Sequence, residues 1–96
     1  MTLSVKFWGV RGSCATPGVE FARFGGNTPC IEVRAGATTL ILDAGTGIRR
    51  LGQSLLAKGK VDVTLLLSHV HWDHIQGLPF FAPLYEDDVL LRTYAG

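Results

Sequence analysis

Polar and apolar positions alternate at the start of the chain and recur at helical spacing in its middle. Val5, Phe7 and Gly9 mark an alternating run over Ser4–Val10, which predicts a first strand ending in the turn Gly9-Val10-Arg11-Gly12-Ser13. Residues 14–28 hold Pro17-Gly18 and Gly25-Gly26-Asn27 and predict a loop. Two β-branched runs, Cys30–Arg34 and Thr38–Asp43, flank Ala35-Gly36-Ala37 and predict a hairpin. Ile48, Leu51 and Leu55 then predict a helix, with Thr46 as its N-cap and Gly59 as its stop. Val61–Leu67 is nearly all apolar, which predicts a strand buried on both faces. Pro79 and Pro83 interrupt Gly77–Tyr85 and predict a short irregular helix, and Asp88–Tyr94 predicts a last strand.

This order implies an α/β or α+β layer, a mixed sheet with its functional loop at the carboxyl end of a central strand. The 96 residues hold one domain, residues 1–96, with 47% hydrophobic and 18% charged positions. A net charge of +1 carries no field for nucleic acid or an anionic membrane surface, and no run reaches the ~18 apolar residues of a membrane span. Arg49-Arg50 and Lys58/Lys60 are read as a solvated helix end. The N-terminus has no signal-peptide pattern, so Cys14 and Cys30 are expected as free thiols in a cytoplasmic protein.

All three histidines of the chain fall in His69-Val70-His71-Trp72-Asp73-His74, directly after the apolar strand. In an extended backbone His69, His71 and Asp73 share one face, while Asp73 and His74 can aim at a second point as the chain turns. On a helix His69 and His71 would point roughly 200° apart, which excludes the paired-histidine helix of zinc proteases. Imidazole nitrogens with a carboxylate suit zinc, with manganese and iron as alternatives. The natural division is His69 and His71 for one ion, Asp73 and His74 for another. Two ions some 3.5–4 Å apart can activate a water and stabilise the attacking and leaving oxygens of a hydrolysis. Trp72 is expected to pack, or to line the site.

The hexapeptide resembles the His-x-His-x-Asp-His loop of the metallo-β-lactamase fold superfamily, and Leu40-Ile41-Leu42-Asp43-Ala44-Gly45-Thr46-Gly47 resembles the strand and turn preceding that loop. Trp8-Gly9-Val10-Arg11-Gly12-Ser13 and Phe24-Gly25-Gly26-Asn27-Thr28-Pro29-Cys30 resemble its phosphodiesterase-like branch, which includes tRNA 3′-processing endonucleases and cyclic phosphodiesterases. The resemblance implies the N-terminal half of an αβ/βα sandwich with helices on one face of the sheet. It implies a phosphodiesterase-type hydrolase with two zinc ions, acting on a small phosphodiester or an RNA end. Asp73 and His74 are the residues of its catalytic centre and Asp43 supports the ligands from behind; a plain turn-capping Asp43 is the alternative. Arg11 and Ser13 are weaker candidates for a substrate phosphate.

The second half of such a sandwich supplies a further histidine to each metal and a bridging carboxylate. No histidine follows His74, and Glu86, Asp87 and Asp88 are read as a solvated turn. Two protein ligands per metal leave more positions open than a catalytic zinc site normally keeps, so the chain alone is expected to be inactive. Three readings remain open: a fragment of a longer hydrolase, a half-domain completed as a homodimer or by a complementing chain over its open sheet face, and a remnant that binds metal or a partner without catalysis. A mononuclear iron oxidoreductase of the same fold stands beside them. Lactam hydrolysis is the branch least expected.

Overall fold

The computed structural model of the chain describes residues 3–21, 25–59, 61–68 and 70–95. Five strands form one mixed sheet in the order β1-β2-β3-β4-β5. Strand β1 (Leu3–Gly9) pairs antiparallel with β2 (Cys30–Ala35), and β2 pairs antiparallel with β3 (Thr38–Leu42). Strands β4 (Val61–Leu67) and β5 (Val89–Ala95) continue the sheet in parallel, each reached by a crossover. Helix α1 (Ile48–Ala57) makes the first crossover. The single turn α2 (Trp72–Ile75) and two 3₁₀ turns, Leu78–Phe80 and Ala82–Tyr85, make the second. Gly36, at φ 61°, opens the two-residue turn of the β2–β3 hairpin, where a side chain would be strained.

The core lies between one face of the sheet and α1. Ile48, Leu51 and Leu55 present one stripe of the helix to Ile41, Val61, Val63 and Leu65, all buried. Phe81, fully buried, and Pro83 pack on the helix at Gly52, where an added Cβ would stand 2.9 Å from both rings. Arg49, Arg50 and Lys58 are exposed, as a solvated helix face requires, while Lys60 lies outside the described residues.

Strand β4 departs from the expectation of burial on both faces. Val61, Val63 and Leu65 are buried, but Asp62 is exposed and Thr64 and Leu66 are only half-buried. Helices cover a single face, so an apolar run in the central strand does not bring two-sided burial. The strand registers align Val5, Val33 and Leu40 with Thr64, and Phe7, Ile31 and Leu42 with Leu66 and Tyr94, on the uncovered face. Leu3, Val5, Phe7, Leu90 and Tyr94 are each about half exposed or more on it.

A second expectation also fails. Gly47, not Thr46, stands at the N-cap of α1, and no side chain caps the helix there. The Thr46 hydroxyl is engaged across the fold instead.

Candidate metal centre

Strands β3 and β4 run parallel, so their carboxyl ends deliver Asp43 and Ser68 to the same place. The Asp43 N–H donates to the Leu66 carbonyl at 2.9 Å, and Asp43 then turns the chain at φ 67°, a left-handed conformation unusual for a non-glycine residue. Its carboxylate accepts the Ser68 N–H at 2.8 Å and the Ser68 hydroxyl at 2.8 and 3.0 Å. His74 Nδ1 stands 3.0 Å from Asp43 Oδ2. Burial raises the Asp43 pKa, but the Ser68 N–H, His74 and the Ser68 hydroxyl outweigh it and hold the carboxyl below its ordinary range. Asp43 is therefore a buried acceptor that meets Ser68 and stands against the His74 ring.

The backbone of the metal loop is strapped to the turn after β3. The Ala44 N–H donates to the His74 carbonyl at 2.7 Å, and the Gly77 N–H donates to the Ala44 carbonyl at 2.9 Å. Approach this close requires glycine. A Cβ on Gly45 would stand 2.6 Å from the Asp73 carbonyl and 2.5 Å from Thr28, and one on Gly77 would stand 2.0 Å from the Gly45 carbonyl.

Thr28 ties a third segment to this junction. It is fully buried; its N–H donates to Thr46 Oγ1 at 2.9 Å, while its own hydroxyl accepts the Thr46 N–H at 2.7 Å and the Gln76 amide at 3.1 Å. Thr46 in turn donates to Asn27 Oδ1 at 3.1 Å. The Asn27-Thr28 and Asp43–Gly47 stretches thus form one hydrogen-bonded junction beneath the metal loop. None of Thr28, Ser68 and Gln76 was assigned a role from sequence. The one available signal was the position of Ser68 at the end of a strand, directly before the first histidine.

Of the expected ligands, His71, Asp73 and His74 fall within the described residues and His69 outside them. His71 has extended backbone, after which Trp72–Ile75 turn helically. Asp73 therefore does not continue an extended face with His71, as two-residue spacing would have it. The His71 carbonyl is already committed to the His74 N–H at 2.9 Å, and that bond closes the turn. What the turn does bring together is Asp73 with His74, where Nε2 lies 3.4 Å from Asp73 Oδ2. Two donors bonded to one zinc at ~2.0–2.2 Å and set at a tetrahedral angle stand roughly 3.3–3.6 Å apart. The pair therefore fits one divalent ion. Among the described residues, no group of three or more histidine, cysteine, aspartate or glutamate side chains is drawn together tightly enough to hold an ion.

Trp72 is 69% exposed and does not pack into the core. The Arg11 Nε donates to the Cys14 carbonyl at 3.0 Å, bracing its own turn. The Ser13 N–H donates to Asp73 Oδ2 at 3.0 Å, so the glycine turn after β1 reaches the metal loop itself. A depression of about 370 Å³ lies beside this turn, lined among the described residues by 15–18 and 25–27. Cys14 is exposed and Cys30 buried, both free. Burial, then Asp43 and Glu32, push the Cys30 thiol up to about 12.

One ring nitrogen of His74 thus faces the strand-end carboxylate of Asp43 and the other faces the adjacent Asp73. Residues 23–91 match the family model of the metallo-beta-lactamase superfamily, and the chain belongs to that superfamily. Its members generally bind divalent metals. The fold is also similar to the crystal structure of a Thermotoga maritima protein described as a candidate metallo-beta-lactamase, with a TM-score of 0.51 and 21% identity. That match covers 82% of this chain and 39% of the other, so the chain spans about two-fifths of that protein's length. Comparison with curated proteins finds no match. No helix among the described residues is long and apolar enough to cross a membrane.

Proposed function

We propose that this chain carries the metal-loop half of a cytoplasmic, phosphodiesterase-type metallo-hydrolase with a two-metal centre. The observation that carries the reading is the Asp73–His74 pair at 3.4 Å, with Asp43 held against the opposite ring nitrogen. A carboxylate on one nitrogen of a histidine that offers the other to metal is the usual support of a ligand histidine. Asp73 and His74 would hold one ion, and His69 and His71 the other, with zinc favoured and manganese or iron as alternatives. Bound divalent ions supply Lewis acidity and a nucleophilic water at neutral pH. The protein's own part is orientation. Asp43 fixes the His74 ring, Ser68 fixes Asp43, and the Gly45/Gly77 contact holds the loop against the sheet.

A phosphodiester substrate, small or at an RNA end, rests on the resemblance of the Trp8–Ser13 stretch. The contact of Ser13 with Asp73 supports it by bringing that stretch to the loop. Two free thiols suit a reducing compartment. The remaining ligands would come from outside these 96 residues, from a longer chain, a complementing chain or a homodimer partner. The uncovered face bearing Leu3, Val5, Phe7, Leu90 and Tyr94 is where such a completing half would pack.

Metal analysis of the folded chain tests the reading. Two equivalents of zinc or manganese are expected, with metal lost in His71→Ala while the far-ultraviolet circular dichroism is kept. A single iron with oxygen consumption would replace the hydrolase by an oxidoreductase. Once completed, the domain is expected to cleave bis(4-nitrophenyl) phosphate and to spare the lactam nitrocefin; the reverse preference would refute the phosphodiesterase assignment.

A further inference from the structure

We propose that the turn Gly12-Ser13-Cys14 is a positioning device for the metal centre, acting through the Ser13 amide on the carboxylate of Asp73. Three observations support it. The Ser13 N–H reaches Asp73 Oδ2 at 3.0 Å across 60 residues of sequence, and that same oxygen lies 3.4 Å from His74 Nε2. Ser13 adopts φ 69°, and the Cys14 N–H donates to the Gly12 carbonyl at 2.9 Å, the pattern of the rarer and more strained γ-turn. The turn is also fastened from several sides. The Arg11 N–H donates to the Asn27 carbonyl at 2.9 Å and the Thr16 N–H to the Gly26 carbonyl at 2.8 Å. The Arg11 Nε and the Thr16 hydroxyl both donate to the Cys14 carbonyl.

A strained residue persists only where its surroundings over-determine it. Here they hold it so that one backbone donor meets one carboxylate oxygen. An ionised carboxylate offers about four lone-pair sites, so the Ser13 amide restricts its rotation while taking up one of them. The turn thereby acts on metal affinity without a side chain of its own in the centre, which is why a motif search for ligands passes over it. This role rests on the metal-centre reading above and adds to it a residue from the far end of the sheet.

The test removes one hydrogen. Cys14 permits ligation of a synthetic 1–13 segment to residues 14–96, so the Gly12–Ser13 amide can be replaced by an ester with every side chain kept. Zinc affinity, measured by competition with a chromophoric chelator, is expected to fall about 10-fold in the ester, the lower end for groups that support metal ligands because this bond is exposed. Ser13→Gly keeps the N–H and relieves the turn, so its zinc affinity is expected to stay close to wild type. An ester that binds zinc as tightly as the native chain would overturn the proposal. Asp73→Ala separates the two ideas: zinc lost there but unaffected in the ester removes only the role of the turn, whereas zinc unaffected in both removes the metal-centre reading as well. Should the ester not fold, the native chain still decides. A Ser13 amide resonance that shifts on zinc addition and loses exchange protection in Asp73→Ala supports the role, and one indifferent to both refutes it.

Discussion

Replacing Thr28 with valine keeps the shape of a fully buried side chain and deletes a single hydroxyl. That hydroxyl accepts the Thr46 N–H at 2.7 Å and the Gln76 amide at 3.1 Å, so the substitution strands two donors at once. A buried donor left without an acceptor costs about 1–3 kcal/mol. Thr46 and Gln76 are each half-buried, and water can recover part of that loss. The expected destabilisation is therefore ~2–4 kcal/mol. In a domain of this size each kcal/mol shifts Tm by roughly 4–8 °C, which gives a fall of about 10–30 °C. Thr28→Ser is the control, because it keeps the hydroxyl and loses one methyl group, worth about 1 kcal/mol. Thermal unfolding followed by circular dichroism on the metal-free chain reads both. If valine costs no more than serine, the hydroxyl network does not hold the junction, and the reasoning that ties Asn27-Thr28 to Asp43–Gly47 is wrong.

Asp43→Asn is expected to present an amide donor to His74 Nδ1 and drive the ring proton onto Nε2, lowering zinc affinity about 10–100-fold in a chelator competition assay. Native-like zinc affinity in this variant would remove the orienting role of Asp43. Because the Asp43 carboxyl sits below its ordinary range, its contribution to stability is present above the unfolded carboxyl value near 3.8 and disappears as pH falls through the lower folded value. Urea midpoints of the metal-free wild type and Asp43→Asn should accordingly differ more at pH 6 than at pH 2–3; a constant gap would contradict this. Iodoacetamide at pH 8 should modify one thiol per native chain, the exposed Cys14, and two in denaturant, since Cys30 is buried with its pKa pushed up to about 12. Rapid loss of both thiols from the native chain would show that the core around Cys30 opens.

Much of this molecule is legible in local pattern. Alternation places β1, the breaker residues place the hairpin, and the spacing of Ile48, Leu51 and Leu55 places α1. The misses share a physical cause, which is that they depend on what lies across the fold. The composition of β4 marks it as central, but whether its second face is covered depends on a layer that local sequence does not describe. Thr46 has the chemistry of an N-cap, yet Thr28, 18 residues away, competes for its hydroxyl and wins. Two-residue spacing puts Asp73 on an extended face with His71, whereas the bond from the His74 N–H to the His71 carbonyl winds that segment into a turn. Trp72 is exposed rather than packed. Ser13 meets Asp73 over 60 residues of sequence and Thr28 meets Gln76 over 48, contacts that local pattern does not announce. The ligand types were readable because metal chemistry restricts them to a few side chains. Their supports were not, since a backbone amide, a serine and a threonine are ordinary residues until the fold aims them.

In the proposed centre Asp73 and His74 share a divalent ion while Asp43 holds the His74 ring from behind. Anomalous diffraction at the zinc absorption edge, on crystals of the chain grown with zinc, tests this most directly. A peak is expected ~2.0–2.2 Å from both His74 Nε2 and Asp73 Oδ2, with His74 Nδ1 still facing Asp43. Zinc bound elsewhere, or a His74 ring turned to offer Nδ1 to the metal, would contradict it.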